Sequence, residues 1–542
     1  MSEESLMGPA PLTVGVTGHR DLTEEASSRF GRQIREIFTK LRSELPHTPI
    51  VLLTGLAEGA DRIAAQIALD QPGVTCVAAL PLPIGDYVTD FESESRADFW
   101  SLLERCDYIV EVGSLPDEAA GGRAEVRERA YQHFGRWLGR NSQILVAGWD
   151  GDDPKLPGGT ADNVFYKAEG LAPLPDLSDD DETLVADPGL ILWVPVARKS
   201  ADSEIAVDEA IKTVGYLGEC RDWDGSCGTA PANMELFNRE AAGFDPDGTA
   251  TEVLFRKADS VAAGLQLRYR WLLRLILASG VAALAGVDVM QSTGNPWAVV
   301  FVVSCLVSAT ISWAWLLRSR WRDRFQQARA LAEGARIQSV WLAAHIRVGP
   351  GDLFLASQGK SVEWIRCALR WCWVIDRESR KDDVDLEPAR QWLVGQVEYF
   401  GGGRTSVGAI RRTWAKHRRL RMWAGIMVVL AAAGLLADIT VLVTTVDVPE
   451  WVTTVLRLVW SVGLGFGAAV ISYDELMGNR ELSRRYALMM PKLSQGVSDL
   501  DRAQASGLER AAQGVVRGVG TETLREASDW LALHSQRTVR PI

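Results

Sequence analysis

Two apolar rhythms divide this chain. Up to about residue 200, short apolar runs alternate with stretches in which apolar positions recur every three or four residues. The short runs are rich in β-branched side chains and bounded by turn residues. They predict buried strands at 12–16, 50–54, 74–80, 107–112, 143–148 and 190–196. The longer period predicts helices at 24–44, 58–70, 92–105 and 122–139. Strand and helix in alternation read as an α/β domain, a doubly wound sheet with helices on both faces.

The rhythm then changes. Residues 201–270 give a mixed signal, with a Gly/Asp/Cys-rich loop at 222–229 leading into a helix. Residues 271–289 and 297–317 are almost wholly apolar and flank the short turn 291–296. Residues 422–446 and 451–472 repeat the plan around 447–450. About 20 residues at ~1.5 Å each cross a hydrocarbon core of ~30 Å. Tryptophans at the edges of these runs suit a membrane boundary. Four transmembrane helices in two hairpins are expected. Between the hairpins, 329–347 carries an amphipathic stripe (Leu331, Ala335, Val340, Trp341, Ala344) and 362–374 carries Trp364, Trp371 and Trp373. Such stripes predict helix packing. Residues 486–530 also read as helical. The expected divisions are therefore 1–200, 201–270, 271–317, 318–421, 422–473 and 474–542.

Charge gives this plan an orientation. The net charge of −12 over 542 residues argues against nucleic acid as a partner. Arginine clusters beside the apolar runs: Arg268, Arg270 and Arg274 before the first, Arg318 to Arg324 after the second, Arg411 to Arg421 before the third, and Arg480, Arg484 and Arg485 after the fourth. The short turns carry no Lys or Arg. By the positive-inside rule both termini and the α/β domain face the cytoplasm, in a multi-pass protein of the cytoplasmic (inner) membrane. Asp438 and Arg457 lie within the third and fourth runs at similar depth, and read either as a structural ion pair or as a pore-lining pair. The acidic run Asp176 to Glu182 reads as a solvated loop. Seven scattered cysteines lack metal spacing, so no metal site is expected and the thiols read as reduced. The first residues, Met-Ser-Glu-Glu-Ser, show no signal peptide.

Candidate chemistry gathers where the early strands end. The second ends in Thr54-Gly55-Leu56-Ala57-Glu58-Gly59-Ala60-Asp61 and a helix pattern follows at once. Glycines there let the backbone turn sharply, and a helix start favours an anion. Such a turn serves either as a phosphate cradle or simply to pack helix on strand. The first strand ends similarly, in Thr17-Gly18-His19-Arg20, where Arg20 offers a guanidinium fork suited to phosphate.

These two segments resemble the SLOG superfamily, nucleotide-binding Rossmann-like domains found in LOG enzymes, DprA and the heads of melastatin-type channels. Ala79-Leu80-Pro81-Leu82-Pro83 with Tyr87, Asp90 and Phe91, then Ala130-Tyr131, Gly148-Trp149-Asp150-Gly151 and Pro157-Gly158-Gly159-Thr160-Ala161-Asp162, extend the resemblance over roughly residues 10–200. The membrane plan resembles the SLATT two-helix effectors.

The resemblance implies a nucleotide or ADP-ribose-like ligand. Gly18, Gly55 and Gly59 would admit it, His19 and Leu56 would flank it, and Arg20 would take phosphate. Thr54 and Thr160 would donate hydroxyls, Glu58 or Asp61 would meet ribose or orient the loop, and Pro81, Gly158 and Gly159 would complete the wall. Tyr87 reads equally as a base-stacking or a packing residue. The function implied is a homo-oligomeric membrane effector, channel or pore-like, gated by that ligand, with a setting in bacterial antiviral defence. No catalytic residue is assigned. A LOG-like phosphoribohydrolase is the first alternative. It is weakened because Asn163 stands where the Pro-Gly-Gly-x-Gly-Thr-x-x-Glu signature has glutamate, and because the second glycine spacing is missing. A membrane scaffold with a non-binding fold is the second.

Overall fold

The computed structural model describes residues 8–113, 123–152, 158–169, 189–200, 210–215, 219–243, 247–355, 360–378, 383–403, 406–444 and 448–536. The acidic run 176–182, Pro157 and Asp447 lie outside them. The chain forms two units, one from Met1–Val261, Gln327–Val384 and Leu524–Ile542, the other from Ala262–Gln326 and Asp385–Thr523. The stretch 318–421 is thus shared between them.

The first unit opens with β1 (Leu12–Gly18), α1 (Glu24–Glu44), β2 (Ile50–Thr54), α2 (Ala60–Leu69) and β3 (Val74–Leu80). A short α3 (Ile84–Tyr87), α4 (Ser93–Leu103), β4 (Tyr108–Glu111), α5 (Arg123–Asn141), β5 (Ile144–Trp149), α6 (Thr160–Glu169) and β6 (Leu190–Pro195) follow. β1, β2 and β5 are buried along almost their whole length, as expected of parallel strands covered on both faces. α1 starts where it does because Thr23 Oγ1 accepts from the Ala26 amide at 3.2 Å and Glu24 and Glu25 occupy the first turn.

The sheet runs β4-β3-β2-β1-β5-β6-β7-β8. The first six strands are parallel. β7 (Lys212–Val214) and β8 (Cys220–Asp222) add an antiparallel edge, so the sheet is mixed and passes beyond residue 200. These two strands have three residues each and β8 is wholly exposed, so no apolar run announced them. The chain works outward from β1 to β4, then returns to the other side of β1 as β5. Loops leaving the carboxyl ends of β1 and β5 therefore diverge, which is where open α/β sheets place ligands.

α7 (Thr229–Ala241), the start of α8 (Ala250–Thr293) and most of α10 (Trp321–Ala343) complete this unit, with α11 (Pro350–Leu353) and α12 (Glu363–Glu378). Asp376 caps α8, accepting from the Ala250 and Thr251 amides at 2.9 and 2.8 Å. Buried Asp352 accepts from Arg140 Nε and Arg370 Nε at 3.0 and 2.9 Å, tying α11 and α12 to α5. Burial raises that carboxyl, but the two guanidiniums outweigh it and hold it below the usual range. Trp341 and Trp364 are core residues, as their stripes predicted.

The second unit holds the rest of α8, α9 (Pro296–Ser319), α13 (Glu387–Gly401), α14 (Ala409–Thr444), α15 (Glu450–Met477), α16 (Asn479–Ala505) and most of α17 (Glu509–Gln536). Among the described residues, α8, α9, α14 and the helical run beginning with α15 are long and apolar enough to cross a membrane. No more than 22% of any of their apolar windows is buried within the chain. α14 and α15 meet along small residues. A methyl on Gly463 would touch Met427 O and the Ala431 side chain at 3.1 Å, so the helices approach at backbone distance.

Candidate functional site

The β1 and β2 loops are built against each other. The Ala60 amide donates to His19 O at 3.3 Å, and a side chain on Gly59 would stand 2.4 Å from that same oxygen. Gly59 also has φ of 78°, which glycine adopts without penalty. Leu56 has φ of 52°, an uncommon conformation for a branched side chain, and is held there by complete burial. Thr54 supports the turn from within: its hydroxyl donates to Asp61 O at 3.3 Å and accepts from the Leu56 amide at 3.2 Å.

Tyr87 closes the turn from the β3 side. Its hydroxyl donates to Gly55 O at 2.9 Å and its ring, 1% exposed, packs edge-on against Phe91 and Phe99. Of its two sequence readings, packing is the one its surroundings fit. Pro81 is likewise buried, with its carbonyl against Gly113. Glu58 accepts from Ser95 Oγ, which in turn accepts from Arg62 at 2.8 Å.

Two groups remain poised. Asp61, 5% exposed in the first turn of α2, has its carboxyl pushed up to about 7. Burial is the main cause. Arg20, the Ala57 and Gly55 amides and Arg62 pull the other way and only partly offset it. A carboxyl that titrates near neutrality can hold or release a proton under ordinary conditions. Arg20 is exposed and lies 5.7 Å from the centre of the Tyr131 ring. Among the described residues it forms no ion pair with a carboxylate. Its neighbours differ. Arg127 and the Tyr131 hydroxyl both bind Asp90, while Arg198 Nε is 2.9 Å from Asp21 Oδ1 and its Nη1 3.5 Å from Asp150 Oδ2.

His19 turns towards the β5 side, Nε2 3.0 Å from Asp150 Oδ1. The ring N–H is not aligned along that contact, so we read it as an electrostatic approach rather than a hydrogen bond. Burial raises Asp150, but His19, the Asp152 amide and Arg198 together bring it below its ordinary value. Gly18 pairs with Gly148 across β1 and β5. Gly158, Gly159 and Thr160 form the start of α6. There the Gly158 amide donates to Asp162 Oδ2 at 2.9 Å, so a carboxylate of the same chain already serves that helix start. Asn163 Nδ2 reaches Thr17 Oγ1 at 3.2 Å and ties α6 to β1.

The sequence-predicted residues thus fall into two groups. Gly18 to Arg20 and Thr54 to Asp61 share one pair of loops, with Tyr87 supporting it from below. Gly158 to Thr160 join the edge through α6. Arg62, Tyr131 and the Asp21–Arg198–Asp150 cluster complete the edge; Tyr131 and Asp150 lie in quoted motifs but were given no role, and Arg62, Asp21 and Arg198 were not singled out in the sequence. Arg62 follows Asp61 directly, whereas Arg198 follows the last parallel strand and carries no motif. Among the described residues no cluster of His, Cys, Asp and Glu is arranged to hold a metal. Comparison with protein-family models and with curated proteins finds no match.

Proposed function

We propose that this chain is a membrane effector whose α/β domain binds a nucleotide or nucleotide-derived, ADP-ribose-like ligand between the β1 and β2 loops. Binding there would gate the four apolar helices. The observation that carries the reading is Arg20, an exposed residue that forms no ion pair among the described residues, whereas Arg127 and Arg198 in the same edge do. It stands over a strained turn and the start of α2, a combination suited to a phosphate. Four membrane-length helices in the same chain supply something for the ligand to act on. A ligand shifts such an equilibrium only by binding the two states unequally. The SLOG and SLATT assignments, the two-hairpin topology with both termini in the cytoplasm, homo-oligomeric assembly and an antiviral setting belong to the same proposal.

The test uses the whole chain in lipid nanodiscs, because the sheet extends past residue 200 and a shorter fragment would cut it. Nucleotides, cyclic nucleotides and ADP-ribose are offered, and mass spectrometry identifies what is retained and what is altered. One ligand retained intact and weakened about ten- to a hundredfold by Arg20→Ala is the expected result. Equal retention by Arg20→Ala rules the site out. Asp61 favours a second reading, phosphoribohydrolysis, since a carboxyl pushed up to about 7 suits acid–base work. Release of a free base and ribose phosphate, abolished by Asp61→Asn, would establish that reading instead.

A further inference from the structure

The helical unit contains a cavity of about 470 Å³ between α8, α14 and α15. Its walls are apolar: Leu277, Val281 and Ala285 from α8, Leu420 from α14, Phe466 and Val470 from α15. Polarity enters at one end, where Arg274 and Tyr473 line it. Arg274 donates to the Tyr473 hydroxyl at 3.2 Å and stands 5.5 Å from the centre of the Trp271 ring. Lys416 Nζ lies 5.9 Å from the centre of the Tyr473 ring and feels the charges of both Arg270 and Arg274.

Arg270, Arg274 and Lys416 thus gather like charge at this end of the cavity. Among the described residues, none of them forms an ion pair with a carboxylate, and Arg270 Nε is buried without a hydrogen-bond partner. Asp474, whose charge acts on Lys416, is already engaged by His417 at 2.6 Å, Asn479 at 2.9 Å and Arg421 at 3.5 Å. Three like charges left together oppose one another, and an anion placed among them relieves that. Guanidiniums match phosphate oxygens in particular.

The remainder of the cavity says what is attached to the anion. From Arg274 to Ala285 the α8 wall is about 16 Å long at ~1.5 Å per residue. That is close to half of a hydrocarbon core of ~30 Å, the depth of a single leaflet. The volume falls within the range of about 300–1,000 Å³ typical of ligand sites. A base or ribose lodged there would lose its water without gaining hydrogen bonds, at considerable cost. Free phosphate would leave the apolar wall uncovered. We propose that this groove binds an anionic phospholipid from the surrounding bilayer, with its phosphate among Arg270, Arg274 and Lys416 and one acyl chain along the α8 wall. The proposal is independent of what the α/β domain binds.

The full chain, purified in mild detergent, is titrated with phosphatidylglycerol or with phosphatidylcholine of the same chain length, and bound lipid is counted by native mass spectrometry. One phosphatidylglycerol per chain is expected, retained at least tenfold better than phosphatidylcholine. Arg274→Gln and Lys416→Gln should each weaken retention roughly fivefold. Ala282→Phe, which fills the apolar wall and spares the cations, should also weaken it. Equal retention of the two lipids by the unaltered chain would overturn the proposal without recourse to any variant. So would full displacement by inorganic phosphate, unchanged retention in Ala282→Phe, or a groove that holds no lipid because a second copy of the chain fills it.

Discussion

β2 and α9 are built from similar side chains and treat them in opposite ways. In β2, Ile50, Val51, Leu52 and Leu53 are at most 2% exposed. In α9, Val299, Val300, Phe301 and Val303 are 45–53% exposed. Burying aliphatic surface away from water stabilises the strand by about 25 cal/mol per Å². A continuous apolar face open on this scale marks a surface that something other than water covers. The difference teaches that the two regions answer to different surroundings: β2 is organised against water, and α9 has the length and apolar surface to cross a membrane.

The largest effects should come from making the same change in both places. Leu52→Ala should destabilise the α/β domain by about 2–5 kcal/mol, read from hydrogen exchange of β2 peptides across a urea series. Leu306→Ala, at a position 52% exposed on α9, should cost less than about 0.5 kcal/mol in the same assay. Similar losses at the two sites would break the comparison. Val303→Arg sharpens it. On a water-facing helix that change would be nearly neutral, whereas in hydrocarbon it should cost about 2.5–3.5 kcal/mol and reduce the fraction of chain inserted in membranes.

Asp61 gives a smaller effect with a definite sign. Its folded pKa of about 7 lies above the ordinary value of 3.8. Between those values the folded state keeps a proton that the unfolded chain has lost. The carboxyl's contribution to stability is therefore fully present below pH ~4 and is lost as pH rises through 7, with a slope of at most about 1.4 kcal/mol per pH unit. Exchange protection of β1 and β2 should fall over that window and level off above it. Asp61→Asn should flatten the slope. A rise in protection over the same range would contradict the burial of this carboxyl.

The smallest effect concerns Asp438 and Arg457, whose Oδ2 and Nε are 4.0 Å apart. A contact at that limit between two apolar helices should contribute less than about 1 kcal/mol, measured by a double-mutant cycle with Asp438→Asn and Arg457→Gln. A larger coupling would mean that the surrounding helices exclude water from the pair.

Much of this was legible in the sequence because it rests on local pattern. All six parallel strands lie near the expected positions, and the four apolar helices announce themselves by length alone. What stayed hidden depends on distant partners. β7 and β8 are too short to carry a period. Residues 327–384 join the α/β domain through Asp352 and its two arginines, contacts that no local motif encodes. At the site, glycine spacing pointed to the β1 and β2 loops, but the sequence could not say that Thr54 and Tyr87 spend their hydroxyls inside the turn. Nor could it say that Arg20 forms no ion pair among the described residues while Arg127 and Arg198 do. Asp288, which binds Ser461 between α8 and α15, also gave no signal within its apolar run.

The most direct test joins the two regions in one assay. The full chain is reconstituted in liposomes carrying an entrapped ion-sensitive dye, and the same nucleotide panel is added outside and inside. Saturable flux with one ligand is expected, lost in Arg20→Ala while the amount of inserted protein stays unchanged. Flux that ignores every ligand, or that survives unaltered in Arg20→Ala, would contradict a membrane response gated through the β1 and β2 loops.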